Sequence, residues 1–69
     1  MKLSARNKLA GTVANIEKGA VNSTVQIDLD GGRIVTAIIT NAAVDELGLE
    51  VGKTAYAVVK AADVIVGVD

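Results

Sequence analysis

The stretch from Ser23 to Thr40 constrains this chain more than any other, because it spells a hairpin. Val25, Ile27 and Leu29 alternate with Thr24, Gln26 and Asp28, the period-two pattern of a half-buried strand. Asp30-Gly31-Gly32 follows, and these residues tolerate the positive φ that a tight reversal needs. The return, Arg33 to Thr40, is apolar on both sides, with Ile34 and Ile38 on one face and Val35, Ala37 and Ile39 on the other. A strand of that kind is buried on both faces. In a chain of 69 residues, one of those faces is expected to meet another subunit.

The remaining segments fit the same plan. Lys8 to Ile16 is predicted as the first strand, with Leu9, Gly11 and Val13 on one face, and Glu17-Lys18-Gly19-Ala20 as the turn after it. Thr40 or Asn41 can cap a short helix through Ala42, Val44 and Leu47, with Gly48 as its left-handed terminator. Glu50-Val51-Gly52-Lys53 reads as a turn, Thr54 to Val59 as a fourth strand ending in Lys60, Ala61-Ala62-Asp63 as a brief turn, and Val64 to Val68 as a fifth strand. The fold class expected is all-β: a five-stranded OB-type barrel with one short helix between strands 3 and 4. It forms a single domain over residues 1–69.

So short a chain buries only about 60% of its unfolded surface, and its core alone is marginal. Small domains usually add disulfides, a metal or a partner copy. There is no Cys and no His, which removes disulfides and the ligands of soft metal sites. With 51% hydrophobic residues and a mean hydropathy of +0.44, self-association is the remaining route. Seven basic against eight acidic residues give a net charge of -1, which supplies no field for nucleic acid. No apolar run approaches the roughly 20 residues of a membrane helix. Met1-Lys2-Leu3-Ser4 turns polar too soon for a signal peptide, and a cytoplasmic location is expected.

Enzymatic chemistry finds few candidates. Besides the missing His and Cys, no Ser stands in a nucleophile elbow, and Asp28, Asp30 and Asp45-Glu46 fall where solvated turn and helix carboxylates usually sit. No catalytic residue is expected. Asp28-x-Asp30-Gly31 superficially matches the start of a calcium loop but lacks its later ligands, so no free metal cation is expected either. OB barrels that bind single-stranded nucleic acid stack bases on aromatics in a basic groove. Tyr56 is the only aromatic residue, and it reads more simply as a core or interface residue with its hydroxyl at the edge.

The densest group of donors is Ser4-Ala5-Arg6-Asn7. Arg6 offers a planar fork to two oxygens of one anion. Ser4, Asn7, Thr40 and Lys60, with backbone N–H groups near Asn41 to Ala43 and at Ala61, can address the others. Together they suit a tetrahedral oxyanion. The same residues also read as a polar lead-in and a solvated strand end, and a purely structural or interaction module remains the alternative, with single-strand binding less favoured.

Ser4-Ala5-Arg6-Asn7 with Leu9-x-Gly11, then Ala37-Ile38-Ile39-Thr40, Asp45-Glu46-Leu47-Gly48-Leu49, Val58-Val59-Lys60-Ala61 and Asp63-Val64 closely resemble the Mop family of small molybdate-binding proteins, the molbindins, over essentially the whole chain. Related modules occur in tandem in molybdate-responsive regulators and at the end of molybdate transporter ATPases, and a free-standing module looks like the storage or buffering form. The resemblance implies an OB-type barrel in a homohexamer, a trimer of dimers, that holds molybdate or tungstate between subunits, with no organic cofactor. It implies side-chain bonds from Ser4, Arg6, Thr40 and Lys60, with Ala5, Asn7 and Ala61 shaping the site or donating main-chain bonds. Relatives often carry hydroxyl residues where this chain has Ala43 and Ala61. The family also holds a second class of anion site near the trimer axis, for which Lys18, Gly19, Ala20, Val21 and Asn22 are the candidates. That loop reads equally as an ordinary β-turn.

Overall fold

A computed structural model describes residues 1–69. One curled antiparallel sheet holds four strands in the order β3-β2-β1-β4: β1 is Asn7–Lys18, β2 Asn22–Asp28, β3 Ile34–Thr40 and β4 Thr54–Val59. The helix α1, Asn41–Leu47, lies between β3 and β4, and a 3-10 turn, Ala61–Asp63, follows β4. The chain is all-β apart from these two short pieces.

β1 serves two partners. Its first half pairs with β4 from Asn7↔Val59 to Thr12↔Thr54, and its second half pairs with β2 from Thr12↔Asp28 to Lys18↔Ser23. A bulge between Val13 and Asn15 marks the change of partner, and the extra residue bends the strand and increases its twist. The turn before β4 is tied to the same point, because Val13 N–H donates to Lys53 O at 2.9 Å and Gly52 N–H to Val13 O at 2.8 Å. Gly11 sits where β1 and the end of β2 close up. A Cβ there would lie 2.5 Å from the Asp28 carbonyl oxygen and 2.7 Å from Ile27 Cγ2, so only glycine fits without a shift of backbone.

The hairpin forms as its sequence requires. Asp30, Gly31 and Gly32 all have positive φ, at 75°, 66° and 78°, and Asp28 Oδ1 accepts from Asp30 N–H at 2.8 Å, an Asx turn. Thr40 is the residue that caps α1, its Oγ1 accepting from Ala43 N–H at 3.0 Å. Gly48 terminates the helix at φ 63°, and Leu49 N–H reaches back to Val44 O at 3.1 Å. Val44, on the buried side of the helix, completes a core of Val13, Val25, Ile27 and Ala57, against which Ile16, Leu29, Val35, Ile39, Leu49 and Ala55 pack.

Two expectations need correction. Glu17 and Lys18 are not in the turn after β1: they continue the strand, opposite Thr24 and Ser23, because the bulge restores the alternation and lets Ile16 face the core beside Val25. The outer face of β3 is open in the single chain, with Ile34 and Ile38 47% and 71% exposed. The larger correction concerns Val64 to Val68, which form no strand. Ile65, Val66 and Val68 are 94%, 85% and 95% exposed, and the only strand pairings within the chain are among β1 to β4. Four strands, not five, are present in one chain.

Candidate oxyanion site

The first half of the site assembles where β1 begins and β4 ends. Asn7 lies opposite Val59, and its carboxamide Nδ2 donates to Val59 O at 3.2 Å. That bond fixes the corner at which the chain leaves β4 through Lys60. Asp63 N–H then donates to Lys60 O at 2.9 Å and rolls Ala61–Asp63 into the 3-10 turn. Ser4, Ala5 and Arg6 lead directly into Asn7 at the start of β1, and Lys60 and Ala61 directly follow its partner Val59 at the end of β4. The side chains of Ser4, Arg6 and Lys60 are exposed. The ion pairs of the chain are Lys18–Asp45 and Lys53–Glu50, so neither Arg6 nor Lys60 is engaged in one, and either can offer its charge to an anion.

The second half lies elsewhere. Thr40 ends β3 opposite Asn22, and Asn22 starts β2 next to Ser23, the partner of Lys18 at the far end of β1. Thr40 and Lys60 therefore belong to opposite ends of β1, and one chain does not bring them together. The Thr40 hydroxyl accepts from Ala43 N–H, which leaves its own proton free to donate. Of the backbone donors expected here, Asn41 N–H is already committed to Val21 O at 2.8 Å and Ala43 N–H to Thr40. They hold the helix rather than point outward.

The Lys18–Asn22 loop is largely self-satisfied. Gly19 N–H donates to Asn22 O at 2.8 Å, Gly19 O accepts from Asn41 Nδ2 at 3.0 Å, and Lys18 Nζ lies 3.4 Å from Asp45 Oδ1. The amides of Ala20 and Val21 make no hydrogen bond within the chain.

Two further features bear on the site. Tyr56 is 55% exposed, so it is not part of the chain's core. It edges an apolar groove of about 440 Å³ that Met1, Leu3, Leu47, Leu49 and Val58 also line. Ser23, by contrast, is 1% exposed and donates its hydroxyl to Asn41 Oδ1. Sequence reading overlooked this pair. The available signal was parity: Ser23 shares the inward register of Val25 and Ile27, and a buried hydroxyl must find a partner.

Residues 3–66 match the TOBE domain. The chain is 55% identical to a probable molybdenum-pterin-binding protein of Haemophilus influenzae over 69 residues, the whole of both chains. In structure it matches the apo form of MopII from Clostridium pasteurianum, with a TM-score of 0.90 and 40% identity, over 97% of this chain and 100% of that one. It also matches the cytoplasmic molybdate-binding protein ModG in a molybdate-bound form, with a TM-score of 0.94 and 54% identity. There it covers 100% of this chain and 49% of that one, so it spans about half of ModG. The chain belongs to the TOBE domain family, as a single-module Mop family protein.

Proposed function

We propose that the protein binds molybdate, and with it tungstate, at sites between subunits of a homohexamer, storing and buffering the anion in the cytoplasm without catalysing a reaction. The observation that carries this reading is the separation of the donors. Ser4, Ala5, Arg6, Asn7, Lys60 and Ala61 gather at one end of β1 and Thr40 at the other, so a complete cage needs a second chain. Charged hydrogen bonds contribute about 1.5–3 kcal/mol each. Five or six of them, less desolvation and ordering, give roughly micromolar binding. Because sulfate, molybdate and tungstate are all tetrahedral dianions, cavity size is the discriminating property.

Self-association has its own physical support. A folded monomer of 7.0 kDa exposes roughly 4,000 Å², whereas this chain exposes 5269 Å². The excess, on the order of 1,200 Å², is more than the roughly 800 Å² that one partner contributes to a standard specific interface. Val64 to Val68 supply much of it and, on this reading, form the fifth strand of a neighbouring subunit's barrel against the apolar groove. β3 offers its outer Ile34 and Ile38 to another contact. The second class of anion site uses Lys18 with the Ala20 and Val21 amides of the Lys18–Asn22 loop, near the trimer axis.

Calorimetric titration with molybdate in excess sulfate tests the function. We expect saturable heat and a melting temperature that rises with ligand, by linkage of about 2.7 kcal/mol at a hundredfold excess over Kd. The absence of both heat and shift would rule the reading out.

A further inference from the structure

We propose that Asn41 is a positioning residue for anion capture, and that it acts through Thr40 by locking the start of α1 to the β1–β2 loop. The inference rests on the oxyanion reading and adds a residue to its machinery. Thr40 is exposed and ends β3, an edge strand of the sheet, so only one strand pairs with it. Its neighbour Asn41 makes three bonds to one short stretch of chain. The backbone N–H donates to Val21 O at 2.8 Å, the side-chain Nδ2 donates to Gly19 O at 3.0 Å, and Oδ1 accepts from Ser23 Oγ.

Each of these bonds has a reason to persist. Ser23 is the one buried polar residue of the chain, and a buried hydroxyl stripped of its acceptor carries a desolvation cost. Gly19 O receives the Asn41 bond while Gly19 N–H is held by Asn22 O, so the loop is clamped from both sides. The exposed Lys18–Asp45 pair joins the same two elements, but an ion pair in solvent holds little. Asn41 is therefore the rigid tie. It fixes the Cα position of Thr40 from one side while the Asn22↔Thr40 pairing fixes it from the other. The Ala43 N–H bond then takes one lone pair of the Thr40 hydroxyl and restricts the directions in which its proton can point. A donor set in advance gives up less freedom when the anion arrives.

The test is a double-mutant cycle on molybdate affinity, read by calorimetry with melting temperature and oligomeric state followed alongside. Asn41→Ala and Ser23→Ala are each made in the parent and in a Thr40→Ala background. Residues that act through one group are non-additive. We expect each substitution to weaken binding about fivefold in the parent and to have no further effect once Thr40 is alanine. Equal losses in both backgrounds indicate general loosening and overturn the inference, as does unchanged affinity in both. If Asn41→Ala does not fold, Ser23→Ala, which removes a single oxygen, decides the matter by the same two comparisons. A parent protein that binds no molybdate overturns the oxyanion reading and this inference with it, whereas a parent that binds while the cycle is additive overturns the inference alone.

Discussion

Asn7 and Val59 face each other across β1 and β4, and the Asn7 carboxamide donates to the Val59 carbonyl at 3.2 Å. This bond places the polar lead-in of the chain against the strand end that carries Lys60, so residues more than fifty positions apart in sequence share one corner. The two cations of that corner carry the first prediction. Arg6→Ala and Lys60→Ala should each weaken molybdate binding about tenfold to a hundredfold, the loss of one charged hydrogen bond. Calorimetry on variants confirmed to keep the parent's oligomeric state provides the check, and parent-like affinity in both would remove these residues from the site.

Gly11 governs the approach of β1 to β2. Gly11→Val puts a branched side chain where even a Cβ meets the Asp28 carbonyl at 2.5 Å. A loss of about 1–3 kcal/mol is expected from overpacking, visible as a lower denaturation midpoint with no change in denaturant slope.

The apolar tail supplies a prediction about assembly. Ile65 is 94% exposed in the single chain, where replacing it should matter little. Ile65→Asp is nevertheless expected to shift the protein toward smaller species in light scattering and to lower its melting temperature, because in the proposed assembly it would place a charge in a buried interface. A variant with the parent's mass and stability would show that this segment covers nothing.

Glu50 is the carboxylate most affected by a partner. The hydrogen bond and charge of Lys53, whose Nζ is 2.7 Å away, hold its carboxyl below the usual glutamate range. A carboxyl lowered in the folded state adds stability above its unfolded pKa and loses it as pH falls through the folded one. Nuclear magnetic resonance titration should give Glu50 a midpoint below 4.5 that rises in Lys53→Met. Because the pair is exposed, the melting temperature should change little.

Local chemistry made most of the single chain legible. Asp30-Gly31-Gly32 and Gly48 each impose a backbone geometry that neighbouring residues cannot supply, and both form as expected, while of the two possible caps, Thr40 and Asn41, Thr40 serves. The β4 limits, Thr54–Val59, follow from the stretch between the Glu50–Lys53 turn and Lys60. The bulge at Val13/Asn15 was not legible, since it arises from β1 serving two partners, and Glu17 and Lys18 were misplaced with it. Val64 to Val68 look like a strand because all but Gly67 are β-branched and apolar, but a strand needs an edge to pair with. Within the candidate site, Arg6 stands out as part of a donor cluster and Lys60 as a lone charge ending an apolar strand. Ser23 and Asn41 do not, because the value of a buried hydroxyl depends on a residue eighteen positions away.

The placing of Thr40 and Lys60 at opposite ends of β1 has a consequence if the protein works as proposed. Each chain alone would then be half a receptor at either end, and loading would be tied to how much of the protein has been made. At low abundance the anion would stay free for whatever consumes it. Past the concentration at which subunits find each other, capacity would rise more steeply than protein, and a modest change in expression would set whether the store fills or empties.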